Sequence, residues 1–480
     1  MKTLTQTSRR KFIKSASTAA AAFTIVPRHV LGGTGFTAPS EKLAIASIGV
    51  GGQGGHDAAN FSKSGKAEIT HLCDVDSNRM ASAAKLYPKA KRYKDFREML
   101  DKEHRHIDAV CVATPDHNHA IQALAAMQLG KHVFVEKPLV HDVWEARVLT
   151  DAARRYKVVT QMGNQGTSSD GARLIREWYE AGAIGDVHTV YVWTDRPVWP
   201  AGIPWPREAA KVPANLDWDL WLGTAKHRYY VEGAPVRYSD GYVVNFNWRG
   251  WWDFGTGPIG DMGCHLLDIA FKVLGLQHVQ EVQASVARLF SDFRVRISAP
   301  DSNPPAAHVT MRFPKALHTK GPVTVHWMDG GITPTIPEEL GLDTPLSAND
   351  SLLVGTKGKI LTGVYGSNPR LLPASRQVKV REKYPRVANG HYAQWVEACL
   401  AGYGNKEVSS PFEFAGPLTE ALLVANLAVR GADMNMEGRG EGRQVRMQWD
   451  HEAMRMTNFD IVNQFVKRDY RPGWELNYSL

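Results

Sequence analysis

The feature that most limits what this chain can fold into is Gly49-Val50-Gly51-Gly52-Gln53-Gly54, placed directly after the apolar run at residues 43–48. A strand that enters glycines at this spacing, with a helix leaving them, describes the first turn of a doubly wound parallel sheet. Gly49 allows the tight turn, Gly51 lets a pyrophosphate approach the backbone, and Gly54 lets the helix pack closely on the strand. That helix, expected over residues 53–62, would turn its unpaired N–H groups toward phosphates. A second strand, residues 68–73, ends in Asp74, twenty positions after Gly54. A carboxylate there accepts hydrogen bonds from both ribose hydroxyls and repels a 2′-phosphate. NAD is therefore expected over NADP, with Arg79 near enough in sequence to leave NADP open.

Two further strands end in polar loops, and the carboxyl ends of parallel strands face the ligand crevice. Residues 107–113, read as the third strand, run into Thr114-Pro115-Asp116-His117-Asn118-His119. Thr114, Pro115 and His117 should lie over the cofactor; the other reading of His117 and His119 is as caps of a helix at 120–129. Residues 132–135 deliver Glu136-Lys137-Pro138 to the same edge. A lysine there can hydrogen-bond a substrate hydroxyl and favour the alkoxide as hydride leaves. A surface pair with Glu136 is the alternative. Much later, Asp261 and His265 stand four apart at the start of an apolar helix over 266–274 that stops at Gly275. Spacing of i and i+4 puts both on one face. Imidazole titrates near neutrality, so His265 is a natural base for a carbinol proton, with Asp261 orienting it or gripping a hydroxyl. Asp261 could instead cap that helix.

These motifs resemble those of the glucose–fructose oxidoreductase / inositol dehydrogenase (Gfo/Idh/MocA) family, over residues 43 to about 465. The resemblance implies an α/β fold: an N-terminal Rossmann domain joined to a C-terminal α/β domain with a large, mostly antiparallel open sheet. It implies nicotinamide-dependent oxidation or reduction of sugars and cyclitols, with Lys137, Asp261 and His265 as the catalytic group. It places Gly49, Gly51, Gln53, Gly54, Asp74, Thr114, Pro115, His117, Glu136, Lys137 and Gln165 around NAD. It also implies a homo-oligomer, built through the face of the large sheet.

Segment 193–252 holds eight of the fourteen tryptophans. An indole face suits the C–H face of a sugar ring, and Trp248 is a candidate for that role; an aromatic core or subunit interface is the competing explanation. Asn164, Gln165, Arg249, Asp253 and Asp261 are polar enough to read hydroxyls. Beyond residue 276, strand alternation recurs at 279–287, 308–313 and 323–327, Gly330-Gly331 reads as a turn, and helices are expected at 391–400 and 417–430, packing back onto the body. The chain shows no repeat and no cluster with metal-ligand spacing.

Residues 1–33 are expected to lie outside the fold. Ser8-Arg9-Arg10-Lys11-Phe12-Ile13-Lys14 precedes a weakly apolar run at 16–26, the layout of a twin-arginine export signal. The partner is then the twin-arginine machinery, and the location periplasmic or tethered by an uncleaved signal. This segment carries six basic and no acidic residues, so the net charge of +8 drops to about +2 without it. Such a balance gives no support for nucleic-acid binding. The four cysteines show no paired spacing and read as reduced, buried small hydrophobes. The expected domains are an NAD-binding domain at 42–162 and a substrate domain at 163–465. The expected reaction is oxidation of a secondary hydroxyl of a sugar, polyol or glycoside, with NAD loaded before export and recycled in place. A redox-neutral NAD-dependent glycoside-cleaving enzyme, and a sugar-binding protein with structural NAD, are the alternatives.

Overall fold

Short apolar segments that are buried on both faces become parallel strands, because helices must cover each side. The computed structural model describes residues 41–480 except 233–244, 342–343, 439 and 444, so the export segment read at 1–33 lies outside the described residues. Among the described residues a six-stranded sheet comes first: β1 (Leu43–Ile48), β2 (Ala67–Cys73), β3 (Lys91–Tyr93), β4 (Ala109–Val112), β5 (His132–Val135) and β6 (Thr160–Met162). Every pairing is parallel, in the order β3-β2-β1-β4-β5-β6. This is the Rossmann order, which reverses direction beside β1 and opens a crevice at the strands' carboxyl ends. The strand read as third is therefore the fourth. The short edge strand β3, Lys-Arg-Tyr, has no fully buried residue to mark it.

The covering helices are α1 (Gly52–Lys63), α2 (Ser77–Leu86), α3 (Phe96–Glu103), α4 (His119–Gln128) and α5 (Val143–Tyr156). Asp142 and Glu145 form a reciprocal capping box at the start of α5, satisfying two N–H groups that would otherwise be orphaned.

The second half begins with α6 (Asp170–Glu180) and β7 (Val187–Trp193), followed by α7 (Trp218–Leu222), α8 (Gly257–Leu266) and α9 (Asp268–Leu274). The strands β8 (Glu281–Val286), β9 (Ala307–Phe313), β10 (Val323–Met328), β11 (Asp350–Gly355), β12 (Lys359–Gly363), β13 (Arg370–Leu372), β14 (Met447–Asp450) and β15 (Arg455–Met456) join β7 in a nine-stranded sheet. Its order is β13-β12-β11-β7-β10-β9-β8-β14-β15, antiparallel except for β7 beside β10. Along β9 the buried Val309, Met311 and Phe313 alternate with the half-buried Thr310 and exposed Arg312. One face is therefore core and the other polar. The late helices α10 (Gly390–Ala401) and α11 (Phe412–Gly431) return to the body. Trp395 of α10 packs against Phe61 on α1, with ring centroids 5.1 Å apart. α11 has the length and apolar composition of a membrane span, but most of it is buried in the core.

The helix expected from Asp261 through 274 is two helices, because the chain bends at Leu267 and Asp268 Oδ1 accepts the N–H of Ile269 at 2.8 Å. α8 starts at Gly257 with Pro258 in its first turn, which places Asp261 inside the helix rather than at its cap. Gly275 closes α9 in the left-handed conformation. Asp268 is fully buried, and burial pushes its carboxyl up to about 7. A raised carboxyl contributes stability that is complete below the unfolded value near 3.9 and is lost as pH rises through about 7. Asp268→Asn should therefore flatten the fall in urea midpoint between pH 4 and 8, at about 1.4 kcal/mol per pKa unit, and gain relative to wild type at pH 8. An unchanged profile would remove Asp268 from this role.

Candidate active site

At the carboxyl end of β1 the backbone leaves no room for side chains. Gly49 has φ of +80°, and a Cβ there would stand 2.5 Å from Ala113 O; one on Gly54 would stand 1.8 Å from Gly49 O. Gly51 is the N-cap of α1 and makes no side-chain cap bond, so the first N–H groups of α1 remain for a phosphate. The groove is lined by Gly49, Gly51, Asp74, Thr114 and Pro115, with Asn118 and Gln122 beside them. Asp74 accepts the N–H groups of Val50 (2.9 Å) and Asp76 (2.9 Å), which fixes its carboxylate at the groove wall. Arg79 lies over Gly51 and donates to Asn245 Oδ1 at 2.7 Å, so this cation is held by a neighbouring segment. This backbone cradle fits a dinucleotide.

Residues after β7 reach across that groove. Leu216 bridges Asp76, Ser77 N donates to Asn215 O (2.8 Å), and Asp217 N donates to Val75 O (3.0 Å). Leu220, Trp221 and the C-terminal Trp474 complete the lining. The sequence offered no sign of this cover, since its contacts are backbone bonds between distant segments.

The catalytic candidates converge from both sheets. Lys137, at the end of β5, donates to Asp261 Oδ1 at 2.7 Å and to Asp261 O at 3.0 Å. Arg249 Nε donates to the same Oδ1 at 3.0 Å, while its guanidinium lies 4.3 Å from the rings of both Phe246 and Trp248. Burial alone would raise the Asp261 carboxyl, but Lys137 and Arg249 outweigh it and hold the group well below the usual carboxylate range. Burial would likewise lower Lys137, and Asp261 reverses that, keeping the ammonium charged. His265 follows one turn later on α8, with its ring 4.8 Å edge-on from Tyr365. Burial first, and then the charge on Lys137, drive its imidazole well below its ordinary value. It is therefore neutral at neutral pH.

Asp116 joins these parts. Its Oδ2 accepts from Thr256 N (3.1 Å) and Thr256 Oγ1 (2.8 Å), tying the β4 loop to the start of α8. His119 lies within hydrogen-bonding distance of two carbonyls, Thr114 O (2.7 Å) and Pro138 O (2.8 Å), and so links the two strand-end loops. His117 departs from its expected place over the cofactor. Its ring is buried between Trp221 and Phe254, each 5.3 Å away, and its nitrogens meet their carbonyls. Neither histidine caps α4, whose N-cap is Asn118 without a side-chain bond.

Gln53, Glu136 and Gln165, expected at the cofactor, meet around residues the sequence did not single out. Gln53 Nε2 donates to Asp57 Oδ1 at 2.8 Å, Tyr392 OH donates to Asp57 at 3.0 Å, and Gln165 Nε2 donates to Tyr392 OH at 2.8 Å. Glu136 lies 3.5 Å from Gln53 and accepts the N–H of Lys137 at 3.2 Å. Burial pushes Glu136 up to about 7 and Asp57 well above its ordinary value; the charge of Glu136 raises Asp57 further, while a hydrogen bond with Asp57 partly offsets the rise at Glu136. Asn164 donates to Asp268 at 3.3 Å. The eight clustered tryptophans are buried, and Trp218 stacks on Trp221 at 4.8 Å, so the aromatic-core reading describes them; Trp248 serves as a wall for Arg249. One trio with metal-ligand chemistry, His278, Glu420 and His451, comes together, but Arg147 pairs with Glu420 (2.8 Å) and reaches His451, so a cation already fills it.

Two family descriptions match the chain: an oxidoreductase family NAD-binding Rossmann fold over residues 43–164, and its C-terminal alpha/beta domain over residues 186–290. Myo-inositol 2-dehydrogenase of Thermotoga maritima is 24% identical over 265 residues, covering 52% of this chain and 75% of that protein. A glycosyl hydrolase family 109 protein of Saccharopolyspora erythraea is 31% identical over 159 residues, 31% of this chain and 34% of that protein. The solved WlbA dehydrogenase of Bordetella pertussis, in complex with NADH and UDP-GlcNAcA, is similar in fold with a TM-score of 0.54 at 20% identity, covering 80% of this chain and 95% of that one. With the glycine cradle, the strand order and both domain matches in agreement, the chain carries the NAD-binding and C-terminal alpha/beta domains of the Gfo/Idh/MocA oxidoreductase family.

Proposed function

We propose that this protein is an NAD-dependent dehydrogenase acting on a secondary hydroxyl of a sugar, polyol or glycoside. The observation that carries this reading is the Lys137–Asp261–Arg249 cluster just past the carboxyl end of β5, the sheet edge that also carries the glycine cradle, with neutral His265 one turn away. Bound NAD supplies the hydride acceptor. Lys137 is kept protonated by Asp261, so it donates a hydrogen bond to the carbinol oxygen and stabilises developing negative charge there. His265, neutral and without a partner at Nδ1, accepts the hydroxyl proton. Asp261 holds Lys137 in place.

The cover formed by residues 215–221 and Trp474 supports a cofactor that stays bound between turnovers. Retention also suits the export reading of residues 1–33, since NAD lost outside the cytoplasm would not be replaced. Hydride then returns to a second substrate. A second reading is favoured by the similarity to the glycosyl hydrolase family 109 protein: oxidation at a ring carbon would acidify the neighbouring C–H, loss of that proton would expel the aglycone, water would add to the resulting unsaturated ketone, and the hydride would return to the ketone carbon.

Lys137→Ala should lower kcat by about 10²- to 10⁴-fold while nucleotide stays bound; undiminished turnover would reject the assignment. Because burial and Lys137 lower the His265 pKa, the acid limb of the kcat/KM profile should fall below pH 6.5 and vanish in His265→Gln. A limb above pH 6.5 would point to another base. Mass spectrometry of freshly purified wild type should find NAD; empty protein would count against retention. Aglycone release from a chromogenic glycoside, without net NADH, would select the second reading.

A further inference from the structure

Helices α6, α9 and α10 and the stretches 384–389 and 406–409 border an open cavity of about 500 Å³. No residue assigned above to cofactor or substrate lines it. Five cations do: Arg173, Arg176, Lys272, Arg386 and Lys406. Three are neutralised locally: Arg386 by Glu177 (2.9 Å), Arg176 by Glu180 (3.0 Å) and Lys406 by Glu397 (3.2 Å). Arg173 and Lys272 make no ion pair among the described residues. Arg173 is fixed instead on Thr167 O, Ser169 O, Pro385 O and Ser409 Oγ. Lys272 donates to Ser409 O at 2.5 Å and lies 5.0 Å from the Phe414 ring.

Both cations that lack an ion pair are thus anchored on one residue, Ser409, which brings their charges together. Burial and the nearby Arg173 and Arg176 hold the Lys272 amine down at about 8, against the smaller opposing pull of Asp268 and Glu407. An ammonium has three donors, and a single hydrogen bond leaves two for a ligand. The remaining wall is mixed: apolar Ile269, Val273, Val387 and Val408 alternate with polar Thr167, Asn389 and Gln394. The carboxylates Glu397 and Glu407 also stand at it, Glu397 already paired with Lys406.

We propose that this cavity is a binding site for a small organic phosphate. A phosphate monoester carries about −1.5 to −2 charge at pH 7, which matches two convergent cations. Its compact tetrahedral group suits charges brought to one point better than an extended dicarboxylate does, and the polar Thr167, Asn389 and Gln394 offer partners to a hydroxylated organic body. This inference does not rest on the dehydrogenase reading.

Calorimetric titration of the full-length protein with glucose 6-phosphate, inorganic phosphate, glucose and succinate tests it. Glucose 6-phosphate should bind, with or without detectable binding of inorganic phosphate. Lys272→Met should weaken it at least about tenfold, as expected for a lost charge-assisted hydrogen bond. Lys137→Ala should leave the affinity unchanged, which separates this cavity from the catalytic cluster. In wild type, glucose 6-phosphate should also protect Lys272 from reductive methylation, a readout that holds even if the variant fails to fold. No binding of either phosphate, an affinity that Lys272→Met leaves unchanged, no protection of Lys272, or binding of succinate alone would overturn the proposal.

Discussion

The contact on which the rest of this molecule depends is the 2.7 Å pair between Lys137 and Asp261. It joins the end of a strand in the first sheet to a helix beneath the second, across 124 residues of sequence. Both side chains are largely removed from water, and burying two charges is costly unless geometry and further hydrogen bonds compensate. Arg249 supplies the third group, itself held between two aromatic faces. The cluster carries two positive charges against one negative. Burial, with Lys137, keeps His265 uncharged, and the positive surplus favours negative charge on a nearby oxygen.

Around this cluster the polar groups form braces rather than ligands. Asp116 ties the β4 loop to α8, and His119 ties the β4 and β5 loops to each other. The Asp57–Glu136–Tyr392 network ties α1 to α10. Each brace is buried, so losing one partner would leave a polar group without water or protein to satisfy it. The tryptophan-rich segment serves the same end. Its indoles pack on one another, and the backbone beside them closes over the dinucleotide groove.

The parts of the site that are local were legible in the chain. The glycine turn can be read because only glycine tolerates the approach of Ala113 O and Gly49 O. Asp261 and His265 share a helix face because four residues make about one turn. The strands ending at Asp74, at Thr114 and at Glu136 could be read from their apolar runs. Short or sparsely apolar strands such as β3 and β6 could not. Tyr392, Tyr365 and Asp57 carry no motif, since their roles come from neighbours hundreds of residues away or on another helix. His117 stood in the right loop, yet its ring took the aromatic cavity offered by Trp221 and Phe254.

What the amino-acid order by itself determined is the set of backbone turns and the spacing of groups along single elements, because steric limits and helical pitch act over a few residues. Tertiary structure alone decided which charge meets which. Arg249 and Lys137 share one carboxylate oxygen, the indoles became a core, and Arg173 and Lys272 make no ion pair among the described residues. The reason is that an ionic partner or a desolvating neighbour is chosen by packing between distant segments, and no local pattern encodes that choice.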